Sequence, residues 1–462
     1  MILPLPKKLQ FKKLLFISRL AVLTLTALAC SSIARAQSSV PMLINPQLSL
    51  SDALRLASQN SVILKQVRAD ADASSAAAFG ALAQTRLGLS ATTYATVGDS
   101  SNILTTSPGV SPQNVFLVAP HPFADQNLML MVPLFSGGRL QNTLTSARRQ
   151  SEASLLSVQA SRLSVTVAVI EDYTGAALGQ SLVSVAQARM ARETEQVRVV
   201  QEKVSAGRSA PVELLREQAE FAEAAQALLA AQNSAALALV SLKTVLGVSQ
   251  ESQIVLADTL DTLAGKTAAL EASATPLTLR EALRRADSNR PEPAAAQRRV
   301  EAAQSAARAV RGEYAPQVYG VAMADAASGQ GVGRTGYTVG LTASLPLFDG
   351  GQRHADLDGA KARLARALAD AEQVCQQVDQ ETAAAWLNAQ TATAQVAAAR
   401  AGVDAAQKDY DLAVLRYNAG KSIAVERLDA LAALTRAQGA LASAQAGAVT
   451  THARLQAALG AL

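Results

Sequence analysis

Aromatic residues are scarce in this chain, at 3% of its 462 residues. A thick mixed core in a chain of this length would normally contain many large aromatic side chains. The abundant residues are instead Ala, Leu, Gln and Val. This composition favours long, closely packed helices over a thick core.

An apolar run long enough to cross a bilayer is absent from the N-terminus. The run at residues 20–29 follows several basic residues and precedes the small-x-small sequence Ala34-Arg35-Ala36. The run is too short for a membrane-spanning helix, and the whole pattern is typical of a cleaved export signal. We predict a signal peptide over residues 1–36, with cleavage after Ala36.

Cysteine is limited to Cys30 and Cys375. Cys30 leaves a second possibility for the N-terminus, acylation as a lipoprotein, although Ala27 stands where such signals usually have leucine. Removal of residues 1–36 leaves only Cys375, so no internal disulfide can form. Stability then has to come from packing and assembly.

An excess of basic charge is absent from the mature chain. The signal contains six of the 42 basic residues and none of the 37 acidic ones, which leaves 36 against 37, a balance of −1. The basic character of the whole chain therefore belongs to the signal, and no nucleic-acid partner is expected.

Catalytic and cofactor motifs are lacking as well. GVGRTG at 331–336 fits a dinucleotide fingerprint, but a strand follows it where a helix is required. AGKS at 419–422 lacks the first glycine of a phosphate-binding loop. The histidines have no zinc-ligand spacing: His121, His354 and His452. The sequence predicts no enzyme, no cofactor and no metal site.

An internal repeat is the strongest positive signal. VPLFSGGRL at 132–140 returns as LPLFDGGQR at 345–353, so that Phe135 and Phe348 lie 213 positions apart. LSLSDALRLASQN at 48–60 likewise matches LTLREALRRADSN at 277–289. We predict two tandem structural repeats, over 37–276 and 277–462.

Each repeat is predicted to open with a helical segment, about 51–84 and 280–311, and then to contain two strands. The strands are expected at about 86–98 and 126–134, and at about 317–324 and 335–347. GYTVGLTASL at 336–345 alternates strictly between apolar and polar residues. That alternation is typical of a membrane-barrel strand with its apolar side outward.

Long helices follow the strands. Proline is absent from 136–206 and from 349–419, and an unbroken helix of that length would reach about 105 Å. Shorter returning helices are predicted at about 211–246 and 423–460. Residues spaced by seven indicate coiled-coil-like packing: Val183, Met190, Val197 and Val204, and their counterparts Val396, Val403, Tyr410 and Tyr417.

The strand-to-helix joints have the same residue types in both repeats. Proline is expected to end the strand ladder, phenylalanine to lie at the membrane interface, and the glycines to let the chain turn into the helix. The joint residues are Pro133, Phe135, Gly137 and Gly138, then Pro346, Phe348, Gly350 and Gly351.

Acidic residues stand near the start of both returning helices: Glu213 in the first, and Glu426 and Asp429 in the second. They could simply interact with the helix dipole, an effect of about 0.3–1 kcal/mol. Alternatively Glu426 and Asp429, one helical turn apart, could face a pore, where symmetry would multiply them into acidic rings.

Four strands cannot span a membrane as an open sheet, because every backbone polar group in hydrocarbon needs a partner. Single-chain barrels begin at about eight strands, so the chain must contribute strands to an oligomer. The predicted fold class is mainly α with a membrane β part. Three copies would form a 12-stranded β-barrel continued by an α-helical barrel.

Over about 48–460 the sequence resembles the TolC-like outer-membrane efflux protein family. The paired PLF[SD]GG joints, the L[ST]L..AL openings and the segment Y.AGKS..VERLDA at 417–430 carry the resemblance. It implies a homotrimer in outer-membrane lipid that extends into the periplasm. It also implies two partners, a periplasmic adaptor and an inner-membrane transporter.

The family resemblance also implies roles for particular residues. The tip turns Ala206-Gly207-Arg208 and Ala419-Gly420-Lys421 match its adaptor contacts. Tyr417, Glu426 and Asp429 match its periplasmic constriction, and Glu213 matches an acid that helps hold the entrance closed. Ser422 stands where the family can have a basic residue, which puts the closing ion pairs in doubt.

The predicted function is passive exit of small molecules, drugs or metal ions, from a tripartite efflux pump, with a gate at the periplasmic tip. A type I protein-secretion channel remains an alternative. A soluble periplasmic adaptor or coiled-coil scaffold also has long Ala-rich hairpins, but such a protein lacks barrel-like strands and paired joints.

Overall fold

A computed structural model describes residues 47–96, 102–105, 113–116, 123–273, 277–329 and 332–462. The predicted export signal, including Cys30, lies outside the described residues. The helices of the described part are α1 Leu50–Asn60, α2 Val62–Ala83, α3 Arg139–Ser205, α4 Pro211–Leu246, α5 Leu260–Ser273, α6 Leu279–Asn289, α7 Pro291–Arg311, α8 Gln352–Asn418 and α9 Ala424–Ala458.

The described strands fall into three sheets. Two short pairs are β1 with β6 and β3 with β4, and the larger sheet has the order β2-β5-β7-β8. The strands are β1 Gln47–Leu48, β2 Gly88–Thr96, β3 Asn102–Thr105, β4 Gln113–Phe116, β5 Phe123–Phe135, β6 Val255–Leu256, β7 Gln317–Gly329 and β8 Val332–Ser344.

The helical openings differ from the prediction because each is broken into two helices. The first break is at Ser61, between α1 and α2, and the second is at Arg290, next to Pro291 at the start of α7. A proline in the first turn starts a new helix readily, because its missing N–H has no partner there anyway. Side chains cap both openings: Ser49 accepts from Asp52 N, and Thr278 forms a capping box with Glu281.

The long helices α3 and α8 each contain 67 residues, which corresponds to about 100 Å of helix. Each returns through an antiparallel partner, α4 or α9, and α9 also packs against α3. Small residues let these helices approach closely. At Gly179 of α3, an added Cβ would lie 2.9 Å from the Cα of Ala235 on α4.

A buried apolar cluster lies where α1, α3, α4 and α9 meet the β1–β6 pair. Tyr173 of α3 is fully buried there, and its hydroxyl donates to the carbonyl oxygen of Leu48 at 2.8 Å. Burial raises the pKa of the Tyr173 phenol to about 12, so it remains a hydrogen-bond donor at neutral pH. Sequence patterning predicted neither this cluster nor α5.

The larger sheet has two chemically different faces, which follow from its register. One face carries rows of apolar residues, such as Leu89, Leu130, Ala322 and Val339 across the four strands. Large side chains on this face are exposed, including Tyr337 at 84% and Leu341 at 74%. The opposite face carries Ser90, Thr92, Asn127, Asp325 and Thr338, together with three methionines.

The first joint corrects the expectation that proline ends the strand ladder. Pro133 pairs with Tyr319 and Phe135 pairs with Val318 after a bulge, so β5 continues past the proline. A bulge can accommodate the missing proline N–H without ending the strand. In the second half, β8 ends at Ser344, before Pro346.

The joint glycines have positive φ angles, +59° and +81° at Gly137 and Gly138 and +65° and +95° at Gly350 and Gly351. An added Cβ at Gly137 would lie 2.3 Å from the Cβ of Ala315, whereas one at Gly350 would meet nothing within 4 Å. Phe348 is correspondingly 90% exposed and Phe135 only 52%. Within one chain, the first joint is therefore packed and the second is open.

Two glycines of α3 should respond oppositely to alanine. Gly179→Ala pushes a methyl group into the backbone of α4 and should lower the free energy of unfolding by about 1–3 kcal/mol. Gly175→Ala meets open space and should raise it by roughly 0.5–1 kcal/mol, because alanine restricts the unfolded chain. Thermal unfolding followed by helical circular dichroism checks both signs, and equal effects would contradict the close crossing.

Candidate functional site

The tip turns are formed by left-handed glycines at the ends of the long helices. Gly207 and Gly420 both have φ of +69°. The next residue closes each turn: Arg208 N donates to the Lys203 carbonyl at 2.7 Å, and Lys421 N donates to the Arg416 carbonyl at 2.9 Å. This arrangement satisfies the last carbonyls of each helix. The predicted tip residues are all exposed in one chain: Ala206, Gly207, Arg208, Ala419, Gly420 and Lys421.

A buried group of charges lies behind the tip turns and joins the two halves of the chain. Arg427 of α9 is 2% exposed, and the carboxylates of Glu193 on α3 and Glu217 on α4 are each 1% exposed. Arg427 Nη2 donates to Glu217 Oε2 at 2.6 Å and lies 4.0 Å from Glu193 Oε2. We call Glu193, Glu217 and Arg427 the inter-half cluster.

The inter-half cluster contains two carboxylates for one guanidinium, and its hydrogen bonding is incomplete. Among the described residues, no hydrogen-bond partner is found for either Glu193 oxygen, for Glu217 Oε1 or for Arg427 Nε. Removing charges from water costs several kcal/mol per ion. The cluster is therefore held by charge attraction across the helices rather than by a saturated network.

Burial shapes the acidity of the groups around Arg427. The pKa of Glu193 is raised because desolvation outweighs the attraction of Arg427. The pKa of Tyr417 is also raised, first by burial and then by the carboxylates of Glu213 and Glu217. The Tyr417 ring lies 5.9 Å from the Arg427 guanidinium and 5.0 Å from Lys203 Nζ. Tyr417 is therefore a neutral phenol between two cations.

The acids predicted from the sequence lie outside this cluster. Glu426 and Asp429 are exposed, whereas Ala424, Arg427 and Ala430 of the same helix are buried. The nearest cation to Glu426 is Arg416, whose Nη1 lies 4.0 Å from its Oε2. Glu213 is half-buried in the first turn of α4 and accepts from the Ser209 hydroxyl. The structure thus places Tyr417 next to the inter-half cluster and leaves Glu426 and Asp429 exposed.

Sequence reasoning missed Arg427, Glu193 and Glu217. One usable signal was present for Arg427, because it occupies a position between Ala424 and Leu431 on the apolar stripe of α9. A charge on such a stripe indicates a buried partner. No comparable signal marks which acids of α3 and α4 face it, since those helices contain many glutamates. The described residues contain no group of three His, Cys, Asp or Glu side chains that could hold a metal ion.

Arg427→Met should strongly destabilise the helical end of the chain. The change removes the cation that contacts Glu217 and lies nearest to Glu193, so we expect the free energy of unfolding to fall by about 3–5 kcal/mol. Adding Glu193→Gln and Glu217→Gln should restore most of it. Arg416→Met is the matched control at an exposed ion pair and should change stability by less than about 0.5 kcal/mol. Thermal unfolding of the four proteins measures the series, and failure of the glutamines to rescue would refute charge compensation.

Glu193→Gln should change the pH dependence of stability. The raised pKa means that folded Glu193 keeps its proton at pH values where the unfolded chain has lost it. The contribution of Glu193 to the free energy of unfolding is therefore largest at low pH and falls as pH rises above about 4.3, and the glutamine variant lacks this fall. We expect the stability of the variant relative to wild type to increase as pH rises above about 4.3.

Glu195→Gln is the control for this pH series, two residues along α3. Its carboxylate accepts from Arg198, which lowers the pKa of Glu195. The sign is opposite: the contribution of Glu195 to stability grows as pH rises through the range where unfolded Glu195 ionises, so the stability of Glu195→Gln relative to wild type should fall over that range. Equal pH profiles for Glu193→Gln and Glu195→Gln would contradict the buried environment of Glu193.

Known proteins share both the sequence pattern and the fold. A profile of the outer membrane efflux protein family matches residues 53–248 and 282–461. The chain is 25% identical over 317 residues to the outer membrane efflux protein BepC of Brucella suis biovar 1. The aligned region covers 68% of this chain and 66% of that relative, just under two thirds of its length.

Solved structures with the same fold include outer-membrane channels. The outer-membrane channel OprN superposes with a TM-score of 0.73 at 22% identity, covering 93% of this chain and 96% of that one. The outer membrane protein VceC of Vibrio cholerae superposes with a TM-score of 0.71 at 21% identity, covering 89% and 96%. The family match extends over most of both halves, and the chain therefore belongs to the outer membrane efflux protein family, lies in the outer membrane and has the fold of an outer-membrane channel.

Proposed function

We propose that three copies of this chain form a passive exit duct through which a transporter in the inner membrane exports small molecules. The observation that carries the proposal is the four-stranded sheet, which has an apolar outer face and an edge strand, β2 or β8, on each side. In a bilayer each edge needs a strand partner. Pairing β8 of one copy with β2 of the next satisfies both edges, and three copies make 12 strands.

The open second joint supports assembly. The first joint packs Gly137 against Gly312 and Ala315, which lie between α7 and β7. If the two halves are structural copies, the second joint needs the equivalent segment between α2 and β2. That segment can come only from another copy, because Gly350 has no neighbour within 4 Å in its own chain among the described residues. A cyclic oligomer supplies it to every subunit.

Uncovered apolar surface on the helices supports the same assembly. Helices α3 and α4 contain 18-residue windows with mean hydropathies of 1.5 and 1.3, enough to cross a membrane by length and composition alone. In one chain these windows are only 28% and 6% buried. Helices of neighbouring copies would cover this surface in a closed helical tube.

The gate is proposed at the periplasmic tip, where Glu426 and Asp429 are exposed near the start of α9. Three copies would place six carboxylates around the entrance, and the Tyr417 ring lies next to Arg427. The inter-half cluster would set the position of α9 against α3 and α4. A movement of α9 away from α3 and α4 would then act against the attraction between Arg427 and its two carboxylates.

The exposed tip turns are the proposed contacts for a periplasmic adaptor. Arg208 and Lys421 place one cation in each turn, and both residues are exposed in the single chain. Because the sequence contains no nucleotide-binding motif, the energy for export would come from the inner-membrane transporter. Export of a protein by a type I system would use the same duct, and membership of an outer-membrane family argues against the scaffold alternative.

Glu426→Gln/Asp429→Asn should reduce cation selectivity in a planar bilayer. Wild-type channels should prefer cations because the acidic rings concentrate them, and the double variant should move toward no preference. Glu195→Gln/Glu202→Gln removes the same charge from α3 and should leave selectivity unchanged. Single-channel recordings, with trimeric mass checked in detergent, give the comparison. If the conductance and selectivity of the first variant equal those of wild type, the protein is a channel but Glu426 and Asp429 do not form its gate. A monomeric mass would refute the trimeric duct.

A further inference from the structure

Three methionines lie together on the polar face of the larger sheet. Met129 and Met131 belong to β5 and Met323 to β7. Met129 is the direct cross-strand partner of Met323, and Met131 follows two residues along on the same face. All three side chains are half-buried. This group contains half of the six methionines in the sequence.

The register allows the three thioethers to meet. Directly opposite residues of an antiparallel pair have Cα atoms about 4.5–5.5 Å apart. Met131 is the diagonal neighbour of Met323, at about 7–8 Å, which long side chains can bridge. Methionine is unbranched and has three rotatable bonds, so its sulfur can adjust to a common point.

The residues around the three methionines include glycines and polar side chains. Met131 lies in a row between Gly88, which has no side chain, and Val321, whose other neighbour in the row is Gly340. The neighbouring row contains Asn127 and Asp325. The Asp325 carboxylate lies beside Gly336, where an added Cβ would be 3.0 Å from its Oδ1. A carboxylate therefore lies in the row next to that of Met129 and Met323.

Lipid contact does not explain these methionines, because the opposite face carries the exposed apolar residues. Thioether sulfur is a soft ligand that selects soft cations such as Cu(I) over Mg²⁺, Ca²⁺ or Mn²⁺. We propose that Met129, Met131 and Met323 bind a soft monovalent cation, Cu(I) or Ag(I), on the inner wall of the barrel. The inference rests on the proposed duct, since it takes the polar face as the wall of the lumen, and it names soft metal ions as a cargo class.

The ligand set fits passage rather than storage. Neutral thioethers hold a cation less firmly than thiolates, which carry charge. Conduction requires sites that are favourable enough to enter and weak enough to leave. Three copies would carry three such sites around the lumen at the same level of the barrel.

Silver binding to the assembled, detergent-solubilised protein tests the site. Ag⁺ is the probe, in nitrate buffer, and bound metal is measured after equilibrium dialysis. All proteins carry Cys375→Ser, because the exposed Cys375 thiol would itself bind silver. The test variant is Met129→Leu/Met131→Leu/Met323→Leu, since leucine replaces methionine with little change of volume. Met190→Leu on α3 is the matched control.

We expect the triple variant to bind Ag⁺ about 10-fold more weakly or not at all, and the Met190→Leu control to bind like the parent. Equal binding by the triple variant and the parent would overturn the site. If the triple variant does not assemble, Met323→Leu alone removes the sulfur nearest to the other two and decides the question by the same titration.

Conductance recorded without metal separates this inference from the proposed duct. If the channels conduct normally but the three leucine substitutions do not change Ag⁺ binding, the proposed duct stands and the thioether site is refuted. Methionine-dependent Ag⁺ binding by a protein that is not a trimer would do the reverse, leaving the site and refuting the duct.

Discussion

Backbone hydrogen bonding at the edges of a four-stranded sheet is the constraint on which the rest of this structure depends. Within the described part of the chain, β2 and β8 each have a strand neighbour on one side only. Hydrocarbon supplies no water to the other side. In the proposed duct, copies of the chain satisfy these edges by pairing with one another, and the exposed apolar face and the open second joint are surfaces that such pairing would cover.

The long helices α3 and α8 extend for about 100 Å. Two different interactions hold the helices together. Near the middle, small residues bring backbones into contact, as at Gly179 and Ala235. Near the tip, a buried arginine lies between carboxylates from the other half of the chain. Close packing sets the distance between α3 and α4. The inter-half cluster pairs α9 with α3 and α4 through opposite charges, and the strength of that attraction depends on the protonation of the two carboxylates.

Periodicity predicted most of the fold. The long helices, the returning helices and the four strands of the larger sheet overlap the ranges expected from the sequence. Proline-free stretches indicated the long helices, and strict alternation at 336–345 indicated one of the strands. The failures are local. Breaks at Ser61 and Arg290, the bulge at Pro133, the β3–β4 pair and α5 depend on single residues or short segments, where several conformations have similar intrinsic energies.

By itself the sequence determined the family, the two-part organisation of strands and helices, and the positions of the tip turns, because repeated motifs and turn glycines are local and written residue by residue. Only the tertiary structure decided that Arg427 faces Glu193 and Glu217, and that Glu426 and Asp429 face away from them. It likewise brought Met129 and Met323 together from positions far apart in the chain. Such pairings depend on strand register and helix rotation, where a shift of one residue changes every partner.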